Sequence, residues 1–237
     1  GDAPQALAKR AIDGMLKGLD PWSKHAGKPQ ESGQAQRLLC IKDRGILRLR
    51  VPRFDGAWAG RWLKECPGLN ENLPILIDLR GNPGGRVDDA LAMADLFIAG
   101  GVVLVEEKRG QAPQSHHARP STTRFASLTI LVDRGTASAA EVIAAALRAR
   151  VGATLLGSQT MGKGTVQRPL YLSDGSAVLL TTGRLRLPSG QPLDGQGVRP
   201  DAVIPPTATL SACLRTGRKW TAKGCEQNVN KASKRIP

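Results

Sequence analysis

An apolar run that ends in a glycine-rich turn constrains the fold of this chain more than any other feature. The run covers residues 74–79, the turn covers residues 80–85, and an amphipathic helical pattern follows over residues 87–98. A short run that is apolar at nearly every position is typical of a strand with both faces buried, as in parallel sheets that helices cover. The segment therefore predicts a strand, a turn and a helix within an α/β layered fold.

The rest of the chain repeats this alternation up to residue 165 and then changes to β structure. Further strands are expected over residues 45–51, 102–106, 128–132, 154–156, 166–172, 177–181 and 184–187, and further helices over 56–66 and 140–148. The adjacent His116 and His117 fall in a segment that we expect to be a polar loop. A chain of 237 residues, 41% of them hydrophobic, can bury a full core, although with 3% aromatic residues that core must rest on Val, Leu, Ile and Ala.

Two polar residues set among small residues form a candidate catalytic pair. Ser138 lies in an alanine-rich segment at the predicted start of a helix, and Lys163 lies between two glycines after a short apolar strand. A lysine amine that burial keeps neutral can take the proton of a serine hydroxyl where no histidine is available. Separately, the serine is more often a helix cap and the lysine more often a solvated loop residue. Together with the turn at residues 80–85, whose bare N–H groups can bind an oxyanion, they indicate a nucleophile and its base.

The order and spacing of these segments resemble the C-terminal processing peptidases, also called tail-specific proteases. That family carries a strand followed by Asp-Leu-Arg-Gly-Asn-x-Gly-Gly, then a Ser-Ala-Ser-type turn, then Gly-Lys-Gly-x-x-Gln. The similarity covers the region from about residue 41 to residue 205, through residues 77–85, 131–147, 157–167, 174–182 and 188–201. It implies the family's crotonase-like ββα/βαβ core, with an added β section and a short N-terminal helix.

The resemblance also implies roles for individual residues. Ser138 corresponds to the nucleophile of a serine peptidase and Lys163 to its general base. The backbone N–H groups of Gly84 and Ala139 correspond to the family's oxyanion donors. We therefore expect these four residues to meet in one site.

Gln167 is the candidate for a third catalytic side chain. It falls four residues after Lys163, where the Ser-Lys-Gln members of the family place the residue that orients the lysine. An amide that accepts one N–H bond can aim the amine without restoring its charge. Some relatives instead carry an aspartate eleven residues after the serine, a position that Ala149 occupies here. The glutamine version is therefore favoured, the other interpretation of Gln167 being an exposed strand residue.

The N-terminal part departs from the family pattern. Residues 11–23 resemble its opening helix and the Leu-Asp-Pro turn that ends it, with Pro21 stopping the helix. Most members continue with a PDZ module, but the polar stretch 24–36 is too short for a folded domain. Without the groove by which a PDZ module reads a substrate's tail, tail specificity is not expected to carry over. The expected parts are a helix with a polar linker and no PDZ domain (1–36), the peptidase core (37–205) and a basic C-terminal tail (206–237).

The net charge of +14 and the sequence pI near 10.3 favour acidic partners. The positive residues are scattered, with the densest cluster in the tail. No nucleic-acid motif or aromatic stacking array accompanies them, so specific nucleic-acid binding is not expected. The expected partners are a protein or peptide substrate and, beyond it, an adaptor or an acidic protein.

The four cysteines indicate an oxidising compartment. Cys213 and Cys225 bracket a short polar loop in the tail, and Cys40 and Cys66 flank the first strand-helix unit, so each pair is a candidate disulfide. Four cysteines allow three pairings, between which the sequence does not choose. No cysteine or histidine pair has zinc-finger spacing, so neither a metal nor a cofactor is expected.

Location and function follow from these observations. No apolar run approaches the ~20 residues that span a bilayer. The chain opens with Gly1 and Asp2 rather than a signal peptide, which we interpret as a leader removed or not included. Together with the cysteines and the resemblance, a missing leader predicts a location in the bacterial periplasm or outside the cell.

The predicted function is a serine endopeptidase of exported or periplasmic proteins that acts through a Ser-Lys-Gln mechanism. The alternative is a non-catalytic or adaptor-dependent binding protein on the same fold.

Overall fold

The computed structural model describes residues 4–27, 38–56, 62–120 and 124–204. The α-helices within these ranges are α1 (Pro4–Lys17), α2 (Trp62–Glu65), α3 (Val87–Phe97) and α4 (Ala139–Val151), and a short 3-10 helix covers Pro67–Asn70. The strands are β1 (Lys24–Ala26), β2 (Leu39–Asp43), β3 (Ile46–Arg50), β4 (Pro74–Asp78), β5 (Gly101–Lys108), β6 (Gln114–Ala118), β7 (Ser127–Val132), β8 (Thr154–Gly157), β9 (Thr165–Tyr171), β10 (Ala177–Arg186) and β11 (Ala202–Val203). The α/β fold class expected from the sequence is confirmed.

The first sheet carries the apolar run of residues 74–79. In the part of the chain that the structure describes, it has six strands in the order β11-β8-β7-β4-β3-β2, all parallel except β2. The central strands β4 and β7 are almost wholly buried, as their continuous apolar sequences predict. Their carboxyl ends, and that of β8, therefore lie at the same edge of the sheet.

Helices α3 and α4 pack together and bury their apolar residues in the core beside this sheet. In α4 every residue from Ala139 to Leu147 is buried, so the small alanine side chains let the helix lie deep in the core. A helix that is buried on all sides is held by its packing, and its first turn is fixed in place with it. Ser138 immediately precedes that first turn.

The second sheet contains the β section that the sequence predicted after residue 165. Among the described residues it has five strands, in which β10 pairs antiparallel with β1, β5 and β9, and β5 pairs with β6. The loop between β8 and β9, which carries Lys163, connects the two sheets. The candidate site therefore lies where the sheets meet.

Three sequence expectations were wrong in detail. His116 and His117 lie in strand β6, because they pair with β5 despite their polar sequence. The strands expected at 177–181 and 184–187 form one strand, β10, with an irregularity between Thr181 and Gly183 that absorbs one residue. The first residues of the expected polar linker form strand β1 on the edge of β10.

Cys40 and Cys66 form a disulfide, with their Cα atoms 5.5 Å apart, which ties β2 to the segment after α2. The expected pair Cys213 and Cys225 lies outside the described residues, as do the basic tail and most of the polar linker. The three-part division and the missing PDZ module stay predictions. No helix in the described ranges is both long enough and apolar enough to cross a membrane.

Candidate active site

The three motif segments lie together because each follows a parallel strand at the same sheet edge. The turn after β4 holds Gly84, the turn after β7 holds Ser138, and the loop after β8 holds Lys163. Loops at the carboxyl ends of parallel strands are where α/β folds place their sites. Asp133 joins the first two turns, since its Oδ1 accepts hydrogen bonds from the N–H groups of Gly81 (2.8 Å) and Gly135 (2.9 Å).

The backbone of Ser138 is held in a strained conformation. Its φ of 54° and ψ of −122° lie outside the regions that residues with a side chain ordinarily adopt. Strain of this kind persists only where the surroundings enforce it, and it is common at sites of function. A sharp turn between a strand and a helix also presents a serine side chain at the top of a sheet in other hydrolases. The conformation therefore supports a role for Ser138 beyond that of a helix cap.

Glu141 connects the serine turn with the lysine loop. The residue is fully buried, and its carboxylate accepts hydrogen bonds from the backbone N–H groups of Ser138 (2.8 Å), Gly162 (2.7 Å) and Lys163 (2.9 Å). The hydroxyl of Thr160 donates a further bond to it. Burial raises the pKa of Glu141, and the four donors oppose that shift because they favour the carboxylate. One side chain thus fixes the spacing of the two predicted catalytic residues.

The Lys163 amine is half-buried and donates a hydrogen bond to Gln167 Oε1 at 3.0 Å. The other end of that amide is also held, because Gln167 Nε2 donates to the carbonyl oxygen of Trp22 at 2.5 Å. A carbonyl can only accept, so this bond determines which end of the amide faces the lysine. The expected Lys163–Gln167 interaction is therefore present, and the chain beside Trp22 orients it.

The surroundings of Lys163 favour the neutral amine. Burial lowers its pKa, and the positive charge of Lys24 lowers it further. The indole ring of Trp22 lies 5.5 Å from the amine and covers one side of it. A ring face attracts an ammonium, which opposes the shift, but an interaction of this kind is weak at a partly exposed site. The net effect is an amine that loses its proton more readily than an ordinary lysine.

The turn that ends α1 is fixed by Asp20. Its carboxylate accepts bonds from the backbone N–H groups of Trp22 and Ser23, both at 2.8 Å, and from the hydroxyl of Thr181 on β10 at 3.0 Å. The indole N–H of Trp22 donates to Asp194 at 3.1 Å. The N-terminal segment is thereby anchored to the second sheet and supports the site from that side.

The two predicted oxyanion donors are adjacent. A methyl group at Gly84 would lie 2.6 Å from the carbonyl oxygen of Ala137 and 3.0 Å from the nitrogen of Ala139, so only glycine fits there. Ala139 is the first residue of α4, where N–H groups have no partner within the helix. The Gly84 N–H, however, donates to Asn82 Oδ1 at 2.8 Å. Ala139 is therefore the better placed of the two donors.

Sequence reasoning missed Glu141 and Trp22. Glu141 stands three residues after Ser138, the spacing of a capping box, which is a recognisable signal in the sequence. Trp22 contributes through its ring beside the Lys163 amine and through its backbone carbonyl, and for the carbonyl the sequence carries no signal.

The family model described as peptidase family S41 matches residues 45–204. A Staphylococcus aureus protein named "Probable CtpA-like serine protease" is 38% identical over 133 residues, which are 55% of this chain and 27% of that protein. The chain thus spans about a quarter of the length of the curated relatives it matches.

Solved structures are similar as well. The photosystem II D1 C-terminal processing protease superposes with a TM-score of 0.62 at 28% identity, over 69% of this chain and 43% of that one. A lipoprotein from Streptococcus agalactiae gives a TM-score of 0.70 at 16% identity, over 99% of this chain and 84% of that one, a likeness of fold alone. Because the matching family model covers most of the chain, including all three motif segments, the chain belongs to peptidase family S41.

Proposed function

We propose that the protein is a serine endopeptidase with Ser138 as nucleophile, Lys163 as general base and Gln167 as the residue that orients the lysine. One observation carries this proposal: the lysine amine has a lowered pKa and is held by Gln167, while Glu141 binds the backbones of both Ser138 and Lys163. A lysine with a lowered pKa is neutral in a larger fraction of molecules at a given pH, and the neutral amine can accept a proton from a serine hydroxyl.

The chemistry proceeds in two steps. Ser138 Oγ attacks the carbonyl carbon of the scissile bond while the Lys163 amine takes the hydroxyl proton. The Ala139 N–H stabilises the oxyanion, and Gly84 contributes if its N–H is shared between Asn82 and the substrate. The bond to the leaving amine breaks as Lys163 returns the proton to it. Water then attacks the acyl-enzyme with Lys163 again as base, which frees the acid and restores Ser138.

The proposed substrates are polypeptides of an exported or periplasmic compartment. The Cys40–Cys66 disulfide supports this location, because disulfides persist where the surroundings are oxidising.

A second candidate is a protease that depends on a partner, or a binding protein on the same fold. Two observations favour it. Among the hydrogen bonds of the described residues, none joins the Ser138 hydroxyl to the Lys163 amine, and the Gly84 N–H is already engaged by Asn82. Catalytic hydrogen bonds are often absent from ligand-free sites, so these observations do not displace the leading proposal.

The test is the degradation of casein by the wild-type protein, Ser138→Ala and Lys163→Ala in parallel, followed by gel and mass spectrometry. Cleavage by the wild type alone would support a self-sufficient serine peptidase. Cleavage that persists in either variant would contradict the assigned roles. If no protein cleaves casein, the second candidate is favoured, and adaptors would be sought by pull-down with Ser138→Ala.

A further inference from the structure

A large groove adjoins the candidate active site on the second sheet. Its volume is about 1010 Å³, and residues near the ends of β5, β9 and β10 line it together with the turn after α1. Thr165 and Thr181 belong to its lining, and Thr181 pairs in register with Gln167. The groove therefore lies beside Gln167, the residue that binds the Lys163 amine.

The groove contains three exposed arginines whose side chains are unpaired. Arg109, Arg168 and Arg184 line it, and in the part of the chain that the structure describes none of their guanidinium groups makes a hydrogen bond or an ion pair. Their guanidinium groups are always charged and offer planar pairs of donors, a geometry that matches carboxylates. An uncommitted set of this kind is suited to an anionic ligand.

The carboxylates in the same groove offset these charges only in part. Glu107 pairs with Arg186 at 2.6 Å. Asp20 accepts the bonds of its own turn, and Asp194 accepts from the Trp22 indole and the Gly164 N–H. Lys108, a fourth cation in the lining, is paired with Glu106 at 3.2 Å. Because the donors to Asp20 and Asp194 are neutral, those two carboxylates keep their charge, and the three unpaired arginines outnumber them by one.

We infer that this groove binds an acidic stretch of the polypeptide substrate, a segment rich in Asp or Glu near the scissile bond. This inference rests on the proposed function, because the position of the groove beside Lys163 and Gln167 is what identifies the ligand as substrate. Pairs between exposed arginines and carboxylates are individually weak, so three of them add selectivity rather than tight binding.

The experiment measures binding without turnover. Two fluorescent peptides of the same length, one with an acidic block and one with Gln and Asn in its place, are titrated by anisotropy into the Ser138→Ala protein. The acidic peptide is expected to bind on the order of 10-fold more tightly at low salt, because three weak exposed pairs act together. The preference is expected to disappear at about 0.5 M NaCl, where such charges are screened.

Variants locate the effect. Combining Arg109→Gln, Arg168→Gln and Arg184→Gln is expected to abolish the preference. The matched control combines Lys9→Gln, Arg44→Gln and Lys64→Gln, which remove the same number of positive charges away from the groove. This control is expected to retain the preference for the acidic peptide. If the triple variant does not fold, Arg184→Gln alone is expected to reduce the preference about 2- to 3-fold.

Several results would overturn the inference. Equal binding of the two peptides would do so, as would an equal loss in the control variant, which would indicate general attraction to the net positive charge. Binding of a single-stranded oligonucleotide without binding of the acidic peptide would assign the arginines to nucleic acid instead. Because binding is measured with an inactive variant, failure of casein cleavage by the wild type would leave this result unaffected.

Discussion

At the scale of the residue, the proposed mechanism depends on the charge beside Lys163. Its pKa lies below the ordinary lysine value of 10.5 because of burial and the charge of Lys24, so the neutral, basic form becomes available at lower pH. Gln167 binds the amine through a neutral oxygen, which leaves that shift intact. The activity is therefore expected to rise with pH through the lowered pKa and then to level off.

Replacing Gln167 with glutamate tests this account. A carboxylate in contact with the amine favours the ammonium, so the pKa of Lys163 rises and the ascending limb of kcat/KM moves to higher pH. A shift of about one pH unit would reduce kcat/KM at neutral pH roughly 10-fold. Profiles of wild type and Gln167→Glu between about pH 6 and pH 10 measure this, and coincident limbs would argue against Lys163 as base. Gln167→Ala, which adds no charge, is expected to lower the plateau without an upward shift.

The fit of Gly84 yields a second prediction at this scale. Gly84→Ala is expected to cost ~3 kcal/mol or more and to impair activity, because its φ is +89° and the added methyl meets the backbone at Ala137 and Ala139. Gly81→Ala is the matched control, since φ is +67° there but no atom lies within 4 Å of the added group, so only the left-handed backbone costs ~1 kcal/mol. Urea unfolding measures the free energy of unfolding of both variants. An equal decrease in the two would mean that close packing at Gly84 does not contribute to stability.

At the scale of the element, the site depends on how α4 and the loop between β8 and β9 are held together. Glu141, in the first turn of α4, accepts bonds from that loop and from the serine turn at once. Among the described residues, no other side chain forms hydrogen bonds with both this loop and Ser138. A backbone bond from the Met161 N–H to the Thr136 carbonyl oxygen (3.0 Å) also joins the two segments, but Glu141 is the described side chain that binds the backbones of both Ser138 and Lys163.

Glu141→Gln is expected to lower kcat/KM at least 100-fold and the free energy of unfolding by ~2–4 kcal/mol. The amide has one acceptor oxygen in place of two, and its NH2 group faces N–H donors. Kinetic assays and urea unfolding measure the two effects. Thr160→Ser keeps the hydroxyl that donates to Glu141, so it is expected to remain close to wild type in both. Full activity in Glu141→Gln would show that the bridge does not position the catalytic pair.

At the scale of the whole molecule, stability and chemistry are separable. The Cys40–Cys66 disulfide closes a loop with a sequence separation of 26 and lies on β2, the edge strand of the first sheet. Replacing both cysteines with serine is expected to lower the free energy of unfolding by ~3 kcal/mol, because the unfolded chain gains entropy when the cross-link is removed. The value of kcat/KM is expected to stay nearly unchanged. Urea unfolding with and without reductant measures this, and the wild type under reductant should resemble the variant. A large loss of activity without a loss of stability would contradict this prediction and would show that the disulfide is needed for activity.

The sequence by itself predicted the α/β class, the strand-turn-helix units and the identity of the motif residues. It did so because buried parallel strands need continuous apolar runs, and because Ser138, Lys163, Gln167 and Gly84 occur in short motifs whose spacing is visible along the chain. The His116–His117 segment was missed because its polar residues become a strand only by pairing with β5.

The tertiary structure decided what depends on residues distant in sequence. The carbonyl of Trp22 orients Gln167, although the two are 145 positions apart, and no local pattern reports a backbone carbonyl. The strained backbone of Ser138 and the bond between Gly84 and Asn82 likewise follow from the packing of two turns against each other. The residue types of a site can be recognised along the chain, but their orientation and the availability of their donors arise only when separate strands end at the same edge of a sheet.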